Sequence, residues 1–252
     1  MLWAVALRLA AYHPYYLLMG DITELGAIRQ DKRAEGEKKI RVCGVIFDYG
    51  NVLCTPQLAS DRERMAETCG LGKPRFDELY WRFRLAYDRH DLDGDSYWKA
   101  IAGAEGRTLS REEITKLILL DSQSWARPNE PVLKWTEQLR GAGLRLAVLS
   151  NMPFEVSRYL LENCPWLGVF HHLIFSCDEA SAKPDPAIYR TCLSALEMRP
   201  EEVLFLDDRP ENVSAALKLG MRSLVFDTPE EASAVIARQF DLPALIHARP
   251  ND

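Results

Sequence analysis

The 252-residue sequence lacks the features that announce several common chemistries. Its six cysteines, Cys43, Cys54, Cys69, Cys164, Cys177 and Cys192, form no CxxC pair and no Cys/His run of zinc-finger spacing. They read as reduced thiols, several of them small buried hydrophobes, in a cytoplasmic protein. No GxSxG elbow and no HExxH helix occurs, which removes the serine-hydrolase and zinc-protease readings. Gly70-Leu71-Gly72-Lys73 lacks the spacing of a phosphate-binding P-loop. Asp91, Asp93 and Asp95 are spaced like a Ca²⁺ loop, but Ser96 stands where such a loop needs glycine and Ala102 where it needs glutamate. Positive charge is not in excess. With 37 acidic and 31 basic side chains the net charge is −6, so the broad basic footprint of a nucleic-acid binder is missing. A long apolar run is missing too. Leu2 to Met19 is rich in Leu, Ala and Tyr, but Arg8, His13 and Pro14 interrupt it. It falls short of the roughly 20 apolar residues of a membrane span. No charged segment precedes it and no convincing cleavage site follows, so residues 1–40 read as an N-terminal extension with a charged linker, Arg29 to Lys39, rather than a targeting signal.

What is present is an ordinary globular composition, 47% hydrophobic and 27% charged, enough to build a full core. Val42 to Phe47 is a short apolar, β-branched run that stops at Asp48 and is followed by Gly50-Asn51, the pattern of a buried strand and a turn. Leu144–Leu149, Leu173–Phe175, Val203–Leu206 and Ser223–Phe226 repeat that pattern. Helical periodicity covers Pro131–Ala142, Glu155–Asn163, Pro186–Glu197 and Glu211–Leu219, the last with Gly220 as its stop. Strands alternating with helices imply parallel pairing through crossovers, hence an α/β fold with a doubly wound parallel sheet. Nearly a hundred residues between the first two strands show only helical patterns, around Ser60–Thr68, Pro74–Tyr87, Asp95–Gly103 and Ser110–Leu120. The expected organisation is a core of residues 41–57 plus 125–252, with an inserted all-helical cap subdomain over residues 58–124.

In an open parallel sheet, ligands bind outside the carboxyl ends of the strands. The residues placed there are Asp48, Ser150-Asn151 and Asp207-Asp208, with Lys183 on the loop before the Pro186 helix. Each has an ordinary explanation taken alone, since Asp is common in turns and Lys on surfaces. Together they make poor packing material and a good site for magnesium and phosphate. A hard cation takes carboxylate oxygens, here Asp48 and Asp208, with the Gly50 carbonyl as a third ligand. Asp48 is placed to attack as a nucleophile, Ser150 to donate to a phosphate oxygen, and Lys183 to offer fixed positive charge. Asn212, four positions after Asp208, can face the same site one helical turn on.

Four segments carry a family resemblance: Phe47-Asp48-Tyr49-Gly50-Asn51-Val52-Leu53, Leu149-Ser150-Asn151, Lys183-Pro184-Asp185-Pro186-Ala187-Ile188-Tyr189 and Phe205-Leu206-Asp207-Asp208-Arg209-Pro210-Glu211-Asn212. In this order they resemble the four motifs of the haloacid dehalogenase superfamily, and the helical insertion resembles its C1-type cap. The resemblance implies Asp48 as nucleophile, Ser150, Asn151 and Lys183 as phosphate-holding residues, Asp208 as a Mg²⁺ ligand and Asp207 in support. The phosphatase pattern carries a second aspartate two positions after the nucleophile, where this sequence has Gly50. That form, FDxGNV, resembles sugar-phosphate phosphatases related to glucose-1-phosphatase. The implied activity is Mg²⁺-dependent hydrolysis of a small phosphorylated metabolite through an aspartyl-phosphate. Two rivals stand beside it: a metal-independent 2-haloacid dehalogenase, and a non-catalytic phosphate-binding protein. The Asp207-Asp208 pair speaks against the first, since buried carboxylates side by side need a neutralising cation. In the cap, Trp81, Phe83, Tyr87 and Trp98 read as packing, and Arg84 and Arg89 as candidates for an exposed face.

Overall fold

Five parallel strands in the order β3-β2-β1-β4-β5 form the centre of the computed structural model, which describes residues 38–179 and 181–245. They are β1 (Gly44–Phe47), β2 (Arg145–Ser150), β3 (His172–Phe175), β4 (Val203–Asp207) and β5 (Arg222–Val225). Each expected strand is present to within a residue or two. β1 is the middle strand and pairs with both β2 and β4, with Phe47 opposite Val148 on one side and Leu206 on the other. The order reverses at β1, so the crevice between the carboxyl ends of β1 and β4 is the topological switch point where such sheets bind ligands.

The strands read as unbroken apolar runs because both faces of the sheet are covered. Val45, Phe47, Leu146, Val148, Leu204 and Leu206 point to one side and meet helices α6 (Glu130–Gly141), α7 (Phe154–Asn163) and α10 (Pro229–Gln239) through Trp135, Leu139, Val156, Leu160 and Ile236. Ile46, Ala147, Leu149 and Phe205 point to the other and meet α8 (Pro186–Leu196) and α9 (Pro210–Lys218) through Ile188, Tyr189, Cys192 and Ala216. Each such side chain contributes about 1.5–3 kcal/mol when fully buried. Gly220 closes α9 in a left-handed conformation at φ +90°, which its missing Cβ makes inexpensive. Helix α10 is an addition to the sequence reading, and its N-terminus is capped by Thr228, whose hydroxyl accepts from the Glu231 amide at 3.2 Å.

Between Cys54 and Pro128 the described chain forms five helices: α1 (Ala59–Cys69), α2 (Lys73–Arg82), α3 (Arg84–Asp88), α4 (Gly94–Gly103) and α5 (Arg111–Ser124). They share their own core of Met65, Phe76, Leu79, Tyr80, Tyr87, Tyr97, Trp98, Ile101 and Leu117. The single helix expected over Pro74–Tyr87 is two, broken at Phe83 (φ −99°, ψ −3°), where no glycine or proline marks the break. The two chain passes into and out of this insertion run side by side. Cys54 bridges Pro128, and the Thr55 amide donates to the Arg127 carbonyl at 2.9 Å. The Asp91–Asp95 stretch is not a cation loop. Asp93 caps α4 through the Ser96 amide (2.8 Å), and Asp95 and Asp91 pair with Lys99 and Arg89. All six cysteines are free thiols. No helix among the described residues is long and apolar enough to cross a membrane. The reading of residues 1–37 lies outside the described residues.

Candidate active site

β1 delivers Asp48 and β4 delivers Asp207, side by side, because the Asp48 amide continues the ladder by donating to the Leu206 carbonyl at 2.8 Å. Beyond Asp48 the chain reverses through Gly50 (φ −63°, ψ 131°) and Asn51, which takes the left-handed conformation at φ 57°. Asparagine tolerates that region better than most residues. The turn brings the Asn51 side chain back across the crevice, where its amide donates to Asp208 Oδ2 at 2.7 Å. Asp48, Asp207 and Asp208 each offer an oxygen within 4.8 Å of the others.

Lys183 closes the cluster. Its ammonium lies 2.8 Å from Asp48 Oδ1 and 2.6 Å from Asp207 Oδ2, and the residue is almost wholly buried. Burial works against its charge, but Asp207 and Asp48 outweigh that cost and hold the ammonium above the ordinary lysine range. Its position comes from Asn151. That side chain accepts from the Lys183 amide at 2.7 Å and donates to the Lys183 carbonyl at 2.8 Å, clamping the loop to the end of β2. Asn212 acts on Asp207 in the same way, with its amide 3.0 and 3.1 Å from the two carboxylate oxygens, while the Arg209 amide adds a third bond at 2.9 Å. Asp207 is thus a fully buried carboxylate with four donor contacts. Burial first, then the charges of Asp207 and Asp48, pushes Asp208 up to about 8. Asp207 is lifted less, to about 6, chiefly by burial and against the pull of Lys183.

Every residue the sequence singled out at the strand ends is at this edge. Asp48, Lys183, Asp207, Asp208 and Asn212 form one connected set. Ser150 ends β2, buried, with its carbonyl taken by the Ser176 amide (3.0 Å) and its hydroxyl bonded to none of the described residues. Asn151 spends its side chain on Lys183. Gly50 sits in the turn, and a Cβ there would lie 3.5 Å from the Trp125 ring. Asn51 was given no task of its own by the sequence, because only the left-handed turn aims it at Asp208. Arg84 corrects the sequence reading. It is not on an exposed face but buried, ringed by Tyr80, Tyr87 and Trp125 and bonded to Asp88 and Asp121. A guanidinium with two carboxylate partners inside the insertion gains more from them than from solvent. Arg89 is exposed, as expected.

The profile of the haloacid dehalogenase-like hydrolases matches residues 44–220, the stretch that contains all of this machinery. The chain belongs to that family. This haloacid dehalogenase-like hydrolase is 34% identical over 230 residues to bifunctional epoxide hydrolase 2 of Rattus norvegicus, an alignment that takes in 82% of this chain and 41% of that protein. It spans less than half the length of that relative and of several others that it matches. It is 25% identical over 208 residues to a phosphatase of Mycobacterium tuberculosis, covering 81% of this chain and 95% of the other. Among solved structures it resembles a family enzyme of Bacteroides thetaiotaomicron in complex with magnesium and inorganic phosphate, with a TM-score of 0.59 and 19% identity over 73% of this chain and 93% of that one. The last likeness establishes the fold.

Proposed function

We propose that this hydrolase is a cytoplasmic, Mg²⁺-dependent phosphatase acting on a small phosphomonoester such as a sugar phosphate, in the FDxGNV branch that resembles glucose-1-phosphatase, with the helical insertion as a C1-type cap. The observation that carries the reading is a charged, buried lysine set among three converging carboxylates. The donor set suits the cation: hard oxygen ligands from Asp48 and Asp208, which converge with Asp207, are what Mg²⁺ takes, and the Gly50 carbonyl would be the third ligand. Burial first, and then the charges of Asp207 and Asp48, raise Asp208 to about 8, so its ionised form at this spot needs a cation beside it. When bound, Mg²⁺ would draw negative charge from the phosphoryl oxygens and let an anionic nucleophile approach.

The chain's own residues supply the rest. The Asp48 carboxylate is oriented through Oδ1 by the Tyr49 amide (2.7 Å) and by Lys183, which leaves Oδ2 without a donor among the described residues and available to attack phosphorus. Lys183, held by Asn151, presents positive charge to the equatorial oxygens, and the free hydroxyl of Ser150 donates to one of them. Asp207 and Asn212 position Lys183 rather than touch substrate. Water then cleaves the aspartyl-phosphate. A 2-haloacid dehalogenase would have no use for Asp208 beside Asp207.

Phosphate release from a panel of aryl and sugar phosphomonoesters, with Mg²⁺ or EDTA, tests this reading in wild type and Asp48→Asn. Turnover that needs both Mg²⁺ and Asp48 is expected. Folded protein that releases no phosphate from any ester, or that releases halide from 2-haloacids in EDTA, overturns it.

A further inference from the structure

Besides its entry and exit, the helical insertion is bonded to the core along a second seam. The Asp88 carbonyl at the end of α3 accepts the Ser176 hydroxyl at 2.5 Å, and the Gly94 amide at the start of α4 donates to Glu155 Oε1 at 2.7 Å. Between these bonds the His90 ring meets the Phe154 ring edge to face at 5.5 Å. Gly94 sits so close to the core that a Cβ there would lie 2.7 Å from Glu155 Oε1 and 2.8 Å from Ile118 Cδ1 on α5, nearer than packed atoms come.

The core side of the seam is the stretch that holds the phosphate-binding residues. Phe154 and Glu155 open α7 directly after Ser150-Asn151-Met152-Pro153. Ser176 follows β3 and is completely buried. Its amide donates to the Ser150 carbonyl at 3.0 Å, and its side-chain oxygen accepts the Met152 amide at 2.9 Å. Ser150 and Met152 flank Asn151, whose side chain grips the Lys183 amide and carbonyl at 2.7 and 2.8 Å. One serine thus meets the insertion with its proton, and meets both neighbours of the residue that fixes Lys183 with its amide and its lone pair.

A serine hydroxyl carries a single proton. With that proton given to the Asp88 carbonyl, the oxygen turns a lone pair to Met152. No other acceptor among the described residues is bonded to the hydroxyl. When the insertion lifts, the proton loses its acceptor and the hydroxyl must rotate to find another, because an unmatched buried donor is costly. Rotation takes the lone pair off the Met152 amide, and the turn that carries Asn151 loses a bond that holds it.

We propose that Ser176 is a positioning residue that couples the seating of the insertion to the phosphate clamp; this rests on the phosphatase reading above. With the Asp88 carbonyl in place, Ser150 and Asn151 are fixed, and Asn151 fixes Lys183. With the insertion lifted, the clamp slackens. Phosphoryl transfer is thereby confined to the covered site, since docking completes the set of groups that hold the phosphate.

Three substitutions test the link. Ser176→Ala deletes it, Ser176→Cys weakens it because a thiol is a poor donor and acceptor, and Gly94→Ala wedges a methyl against Glu155 and Ile118 on the far part of the seam. The readouts, both with Mg²⁺, are kcat on the phosphomonoester that wild type turns over best and the inhibition constant of inorganic phosphate. Ser176→Ala should lower kcat and weaken phosphate by about 5–100-fold each, with Ser176→Cys in between. Gly94→Ala should weaken phosphate in the wild-type background but by less than about twofold in Ser176→Ala, where the link it acts through is gone. Equal factors in the two backgrounds, or a Ser176→Ala enzyme that matches wild type in both readouts, overturn the proposal and leave the phosphatase reading standing. Should Ser176→Ala not fold, Ser176→Cys decides it: the factor from Gly94→Ala should shrink there, and an undiminished factor overturns the proposal. Wild type inert towards every ester removes the phosphatase reading and the proposal with it.

Discussion

Replacing Lys183 by methionine removes a buried charge while keeping most of the aliphatic stem. In the wild type the ammonium bridges Asp48 and Asp207 at 2.8 and 2.6 Å with its side chain 1% exposed. Removing one partner of a buried pair leaves the other charge uncompensated and costs about 3–5 kcal/mol. In a domain of this size each kcal/mol moves the melting temperature by about 2–4 °C, so a fall of roughly 6–20 °C is expected at about pH 8 in EDTA. The sign of the pH dependence follows from the same groups. Without Lys183, whose charge opposes the burial that already lifts Asp207 to about 6, that acid can escape the penalty only by binding a proton, so its folded-state value rises further above the unfolded one. Such acids stabilise the folded state as pH falls through the folded pKa towards the unfolded one. The deficit against wild type should therefore shrink between about pH 8 and pH 5.5. Thermal unfolding followed by circular dichroism measures it without any assay of activity. A deficit below about 1 kcal/mol at the higher pH, the scale of a surface pair, would refute the reasoning, as would a deficit that does not change with pH.

Two further outcomes follow from the same edge of the sheet. In metal-free protein Asp208 holds its proton up to about pH 8, so Mg²⁺ must displace it; affinity should climb from pH 6 to pH 8 with proton release, and calorimetry showing a flat affinity over that range would count against the assignment. Asn51→Gly keeps the left-handed turn and deletes only the bond to Asp208, so Mg²⁺ binding should weaken by about 10–100-fold with little change in melting temperature in EDTA, and an unchanged Kd would remove Asn51 from the cation site.

The strands were legible because a buried parallel sheet imposes unbroken apolar runs such as Val203–Leu206, and the acids that end them have no business in a core. The chain's own punctuation sets Asp48, Asp207 and Asp208 at the ends of those runs and Lys183 on the loop before a helix. What stayed hidden depends on three-dimensional return. Asn51 reaches Asp208 across 157 positions of sequence, through a turn whose hand the sequence only hints at. Arg84 read as solvated because its partners, Asp88 one turn on and Asp121 on another helix, are visible only once the helices pack. Helix α10 had its cap in plain view at Thr228-Pro229-Glu230-Glu231.

The bridge between Cys54 and Pro128 and the bond from Thr55 to Arg127 bring entry to and exit from the helical insertion to one spot. Those seventy-odd residues therefore leave and rejoin the chain at one point, and touch the core again where Ser176 bonds the Asp88 carbonyl and Glu155 the Gly94 amide. Closing or lengthening such a loop changes the chain entropy only slowly with its length. An insertion joined to the chain at one point can be lengthened or shortened at small entropic cost to the sheet that aligns the carboxylates and the lysine.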